Sequence, residues 1–308
     1  MSAFHPEVAA ARFIPNFTWG PRLARLANRG EQKSGRIPDD VIVEDVTVPG
    51  PEGAPDVSVR LYRPRESGAP MPALLWIHGG GFIIGSPIQD ERTNIAFVRN
   101  LGITVAAVTY RLGPEHPAPA ALEDAYAALK WLFANADDRG IDATRIAVGG
   151  VSAGGGLAAG LVLLAHDRAE VTPAFQLLVY PMLDDRTVLR DDLDTRNVRV
   201  WSPGSNRYGW KSYLGHEPGG PETSEYAAPT RRADLSGLPP TWIGVGTLDL
   251  FHDEDLDYAQ RLADAGVPTE MLVVHGAFHG FNGLFKRTEV AKEFWRAQAR
   301  ALRAAFQR

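Results

Sequence analysis

The sequence predicts an α/β fold on a mostly parallel sheet. Two observations carry this. Six short apolar runs lack the in–out alternation of a half-exposed sheet, and helix-period segments separate several of them. With 308 residues, 44 % hydrophobic and 22 % charged, the chain has material for one sizeable core and is read as a single domain over 1–308.

In chain order, "VIVEDVTVPG" and "VSVRLYRP" alternate and predict an antiparallel hairpin at one sheet edge. The strands expected to be buried on both faces are "ALLWI" at 73–77, "ITVAAV" at 103–108, "RIAVGG" at 145–150, "FQLLVY" at 175–180, "TWIGVG" at 241–246 and "EMLVVH" at 270–275. Leu122, Ala125, Leu129 and Leu132 share one face of a helix over 118–135. Ala259, Leu262 and Ala263 do so in a helix that Gly266 and Pro268 stop, and Val290, Phe294, Ala301 and Ala305 stripe a C-terminal helix over 288–306. Two regions break the alternation. Residues 1–40 carry Phe13, Ile14, Phe17, Trp19 and Leu23, and residues 184–226 carry Trp201, Tyr208, Trp210 and Tyr213. Aromatics at that density need something to cover, so both are read as a lid over one end of the sheet.

Composition excludes several functions. A net charge of −5, with no stripe of Arg and Lys, predicts no attraction to nucleic acid or to an anionic membrane. The absence of cysteine removes disulfides, thiolate metal sites and a cysteine nucleophile. The start "MSAFHPEVAAARFIPNF" does not read as a signal peptide, and no uncharged apolar stretch reaches about 18 residues, so no stable membrane insertion is expected. A cytoplasmic enzyme is the default expectation.

Ligands of open α/β sheets bind beyond the carboxyl ends of the strands. Four connections deliver chemical groups there: "HGGGF" at 78–82, Ser152, Asp249 and His279. Gly150-Val151-Ser152-Ala153-Gly154 fits G-x-S-x-G, a strained strand-to-helix turn that lifts a serine oxygen clear of the backbone. Alone, it leaves open a glycine-rich helix start that binds phosphate, but no Walker lysine follows. The glycines of "HGGGF" let main-chain amides turn toward a developing oxyanion, with His78 bracing the loop. A neutral serine needs a base, and the base needs an acid to hold its tautomer. His279 in "HGAFHGF" is the expected base. His275 is its rival, read otherwise as a partly buried, hydrogen-bonded histidine. A zinc pair from the two lacks the glutamate of H-E-x-x-H, so no metal is expected. Among Asp249, Asp253, Glu254 and Asp255, Asp249 falls on the connecting loop and is the expected acid, with a helix N-cap as its bland alternative. The other three would complement the dipole of the next helix.

The segments "HGGGF", "YRLGPEHPAPAALEDA", "GGVSAGGGLAA", "YPMLDDRT", "DLFHDE" and "FHGF" make the chain resemble the hormone-sensitive-lipase family of α/β-hydrolase carboxylesterases, from about residue 40 to the C-terminus. The resemblance implies an eight-stranded sheet with helices on both faces and a helical cap, formed by about 1–40 and about 184–226. It implies short- to medium-chain ester hydrolysis without a cofactor, and oxyanion donors on the amides of Gly80, Gly81 and Ala153. It also implies a small-molecule ester as the partner and, in many members, a homodimer. An amidase or small-metabolite deacetylase would use the same residues. A non-catalytic ligand-binding protein of this fold would not need Ser152, Asp249 and His279 intact. Members commonly carry aspartate where this chain has Val151, often Pro and Arg at Leu250 and His252, and Ala at Gly113.

Overall fold

The computed structural model describes residues 3–30, 32–66, 68 and 70–307. Residues 1, 2 and 31 of the predicted N-terminal lid segment lie outside the described residues.

The strands are β1 (Val41–Val48), β2 (Val57–Pro64), β3 (Met71–Ile77), β4 (Thr104–Val108), β5 (Ile141–Val151), β6 (Phe175–Val179), β7 (Thr241–Gly246) and β8 (Thr269–Val274). They form one sheet in the order β1-β2-β4-β3-β5-β6-β7-β8. β1 pairs antiparallel with β2, and β2 with β4, while all remaining pairs are parallel. The helices are α1 (Pro21–Arg29), α2 (Glu91–Leu101), α3 (Ala120–Ala134), α4 (Ala153–Arg168), α5 (Pro203–Leu214), α6 (His252–Asp264), α7 (Phe281–Leu284) and α8 (Glu289–Ala305).

Missing alternation has a direct cause: both sheet faces are covered. In β3, Ala73, Leu75 and Ile77 enter the core shared with α3, α4 and α6. Leu74 and Trp76 enter the other core, shared with α2 and α8. Each large aliphatic side chain so buried contributes about 1.5–3 kcal/mol. β8 departs from the expectation. It is the edge strand, so Val273 remains 38 % exposed and the run is not buried on both faces. Among the described residues no helix is long and apolar enough to cross a membrane.

The sheet order places the topological switch between β4-β3 and β5-β6, so the loops after β3 and β5 open a crevice at their carboxyl ends. Both segments that break the alternation converge on it. Pro203 opens α5 behind Ser202, whose hydroxyl accepts from Ser205 N at 3.2 Å, and Gly215 ends it with φ 77°. Tyr213 of α5 stacks on Phe82 after β3, with ring centroids 4.1 Å apart, and Trp210 packs beside them. The N-terminal segment joins α5 through Thr18 Oγ1 to Ser202 Oγ at 3.1 Å and Trp19 N to Ser205 Oγ at 2.9 Å.

One buried ion pair pins the second segment. Asp185 is fully buried and accepts from Arg231 Nε (2.7 Å), Arg231 Nη2 (2.9 Å), Gly219 N (2.6 Å) and Thr223 Oγ1 (3.0 Å). Burial alone would raise its pKa. The guanidinium and the other donors outweigh burial and hold the carboxyl below its ordinary range. Arg231→Met should therefore strand a buried charge and destabilise the protein by about 3–5 kcal/mol, read by denaturant titration against the wild type.

Candidate active site

β5 ends at Val151 and α4 begins at Ala153, leaving Ser152 alone at the turn with φ 58° and ψ −124°. A non-glycine residue at positive φ costs energy, so the surroundings must hold it. Ser152 N donates to Val179 O at 2.9 Å, and Ser152 O accepts from Met182 N at 3.0 Å. The crossing is close: a methyl group on Gly154 would lie 2.1 Å from Ile77 O, so only glycine fits there.

His279 stands on the loop after β8 and Asp249 on the loop after β7. Backbone bonds stitch these loops together, with Thr247 N donating to Val274 O at 3.1 Å and Leu248 N to Ala277 O at 2.8 Å. His279 Nδ1 lies 2.8 Å from Asp249 Oδ2, and His279 Nε2 lies 2.8 Å from Ser152 Oγ. A carboxylate only accepts, so Nδ1 carries the proton. In the neutral ring Nε2 is then the acceptor for the serine hydroxyl. Asp249 Oδ1 accepts from Phe251 N at 3.0 Å, which fixes the carboxylate. All three residues are buried. The three residues expected from the sequence as nucleophile, base and acid thus lie in one hydrogen-bonded chain.

The rivals lie elsewhere. His275 is exposed at the end of β8, rather than partly buried as expected. Asp253 pairs with Arg190 and His252. Glu254 and Asp255 are buried, so dipole complementation does not describe them. Glu254 accepts from Leu183 N at 2.7 Å, Asp184 N at 3.2 Å and the Thr187 hydroxyl, which anchors the start of the second segment to α6. Burial first, then the charges of Glu254 and Asp249, push the Asp255 carboxyl well up. Burial likewise raises Glu254.

The loop after β3 leans on this centre. Gly80 has φ 123°, a conformation open to glycine, and a methyl there would meet Ile84 O at 1.9 Å. The amides of Gly80, Gly81 and Ala153 donate no hydrogen bond among the described residues. His78 is buried, stacks on Tyr110 at 4.2 Å and lies with Nδ1 2.8 Å from Gly79 O, while Tyr110 Oη donates to His78 O at 2.9 Å. Burial pushes His78 down to about 4, so the ring is neutral near pH 7 and braces the loop.

Sequence reasoning missed two neighbours of the imidazole. Tyr180 meets the His279 ring edge-on at 4.8 Å and Phe251 meets it at 5.2 Å. Tyr180 is itself held by a 2.8 Å hydrogen bond to Asn282 Oδ1 and by stacking on Phe294. The signal was present, since both lie inside the quoted segments "YPMLDDRT" and "DLFHDE". Val151 lines a groove of about 720 Å³ with Tyr180, Trp76 and Asp90. Asp90 accepts from Trp76 Nε1 at 2.9 Å and is pushed up to about 6 by burial. Among the described residues no cluster of three or more His, Asp or Glu could hold a metal ion.

The chain is similar to known proteins. A model of the alpha/beta hydrolase fold family matches residues 74–283. The carboxylic ester hydrolase LipN of Mycobacterium tuberculosis is 37 % identical over 260 residues, covering 80 % of this chain and 66 % of its own length. The carboxylesterase NlhH of the same organism is 34 % identical over 268 residues, covering 85 % and 82 %. The solved structure of a bacterial heroin esterase superposes with a TM-score of 0.89 at 39 % identity, covering 99 % of this chain and 98 % of that one.

The raised carboxyls predict a pH dependence. Asp255 holds its proton in the folded chain above the pH at which the unfolded chain releases it. The native state therefore binds more protons, and stability falls as pH rises from about 4 toward the raised value. Asp255→Asn removes that titration. Its thermal midpoint should fall less than that of the wild type between about pH 5 and pH 8.

Proposed function

Because the chain belongs to the α/β-hydrolase fold family and, within it, to the hormone-sensitive-lipase group of bacterial carboxylic-ester hydrolases, we propose that Ser152, His279 and Asp249 hydrolyse short- to medium-chain carboxylic esters through an acyl-enzyme. The observation that carries this reading is the pair of 2.8 Å contacts linking Ser152 Oγ, the imidazole and the Asp249 carboxylate.

Ser152 Oγ attacks the ester carbonyl carbon as its proton passes to His279 Nε2. Asp249 keeps the imidazole oriented and stabilises the imidazolium without taking the proton. The carbonyl oxygen becomes an oxyanion that accepts from the amides of Gly80, Gly81 and Ala153, and loss of one such donor costs about 3 kcal/mol of barrier. The carbon–oxygen bond to the alcohol then breaks, with Nε2 returning its proton to the leaving oxygen. Water, deprotonated by the same Nε2, attacks the acyl-enzyme, and collapse of the second tetrahedral intermediate frees the acid and restores the serine hydroxyl. Tyr180 and Phe251 act as positioning residues, restricting the ring to the plane that faces both partners.

Trp201 supports the preference for shorter acyl chains. It is buried in the second cap segment, held by Nε1 donating to Asn206 Oδ1 at 3.2 Å. A methyl group on Gly81 would lie 1.9 Å from its ring, so the indole closes the space beside that amide.

Steady-state kinetics on p-nitrophenyl acetate, butyrate, octanoate and laurate test both parts. Ser152→Ala should lower kcat by about 10⁴-fold or more on every ester, and retention of most activity would reject the mechanism. Trp201→Ala should shift the optimum of kcat/KM toward longer chains. An unchanged profile would remove Trp201 from the account of specificity.

A further inference from the structure

The charge of the chain is unevenly placed. Residues 12–36 hold six basic side chains, Arg12, Arg22, Arg25, Arg29, Lys33 and Arg36, against the single acid Glu31, in a chain of net −5. This segment is therefore strongly cationic, and the remainder correspondingly more acidic than the total suggests. All six basic residues are exposed.

α1 lies within this segment and packs by one narrow side. Ala24 is buried, and Asn28 Nδ2 donates to Ile83 O at 2.8 Å, so these two residues define the inner side. At about 100° per residue, Leu26 projects opposite them, with Arg22 and Arg29 on one flank and Leu23 on the other. Leu26 is 67 % exposed and Leu23 45 %, and Phe13 of the same segment is 75 % exposed. Arg22, Arg25 and Arg29 form no ion pair among the described residues. A large aliphatic side chain pointing straight into water, beside guanidinium groups that form no ion pair among the described residues, is a surface without its counterpart.

We propose that this face docks on an anionic phospholipid surface, with Leu26 and Leu23 entering the acyl boundary and the arginines pairing with headgroup phosphates. A phospholipid layer supplies apolar depth and phosphate at the same place, the combination this helix presents. A second copy fits less well, because a two-fold contact through this face would set arginines against arginines. The acidic remainder of the chain is repelled from the same surface, so the field also orients the molecule. The expectation of no attraction to anionic membranes, drawn from the net charge and from the absence of an Arg and Lys stripe, is overridden by this local cluster. Asn28 links α1 to Ile83, next to the "HGGGF" loop, so docking brings the crevice close to the lipid. The inference stands apart from the esterase mechanism.

Co-sedimentation of the full chain with vesicles tests it, using phosphatidylcholine alone and equal parts of phosphatidylcholine and phosphatidylglycerol. The expected result is binding to the mixed vesicles at low salt, about tenfold weaker on neutral vesicles or at high salt. Leu26→Asp and the double variant Arg22→Glu with Arg25→Glu should each weaken it by about tenfold or more. Neither should change the rate on p-nitrophenyl acetate without vesicles, which excludes misfolding as the cause. Absence of binding to mixed vesicles, or equal binding to neutral and anionic ones, would overturn the proposal. So would a wild-type dimer in size-exclusion chromatography that Leu26→Asp converts to monomer, because the face would then be a subunit interface. Capture of an acidic protein by the same face without vesicle binding would overturn it equally.

Discussion

The site depends on how closely α4 can approach the sheet. Gly154 lies against the carbonyl of Ile77, where one methyl group would collide with backbone at 2.1 Å. That approach forces the chain to turn between β5 and α4 within a single residue, and Ser152 takes the strained conformation that results. The strain persists because its amide and carbonyl are tied to Val179 and Met182, which belong to β6 and the connection after it. A looser elbow would still be an α/β sheet with a serine in a loop. It would not hold the oxygen 2.8 Å from an imidazole.

Around that turn the protein controls which groups carry charge. Asp249 has fixed donors on both oxygens, Phe251 N on one and His279 Nδ1 on the other. On the following helix, Asp255, which feels the charge of Asp249, and Glu254 are both pushed upward by burial, so additional negative charge there is disfavoured. His78, the other buried imidazole of the crevice, is held neutral against Tyr110. Glu254 has a second task, because its carboxyl receives the backbone amides of Leu183 and Asp184 and so fixes where the 184–226 segment departs. The loop of Asp249 and the segment from Asp184 thereby meet at the start of α6.

Much of this was legible in the sequence, for physical reasons. Strands buried on both faces must be apolar throughout, so β3 to β7 announced themselves. The elbow and the "HGGGF" loop were visible because close backbone approach leaves glycine as its mark. β8 was misjudged because an edge strand rich in Leu and Val resembles a central one until its neighbour is known. α2 went unrecognised because Glu91 and Asn94, which break its apolar stripe, are buried rather than exposed. Glu91 accepts from Gly35 N at 2.7 Å and pairs with Arg60 at 3.2 Å, partners distant in the chain that no local pattern reveals. Tyr180 and Phe251 stood inside quoted segments, but no local pattern reveals their contact with His279, which joins three separate loops.

The central claim is that convergence of these loops makes one serine among many a nucleophile. Labelling with a fluorophosphonate, followed by intact-mass measurement and peptide mapping, tests it directly. The account predicts a single adduct, on Ser152, formed far more slowly in the His279→Ala protein. A protein that stays unmodified, or an adduct at another residue, would contradict it.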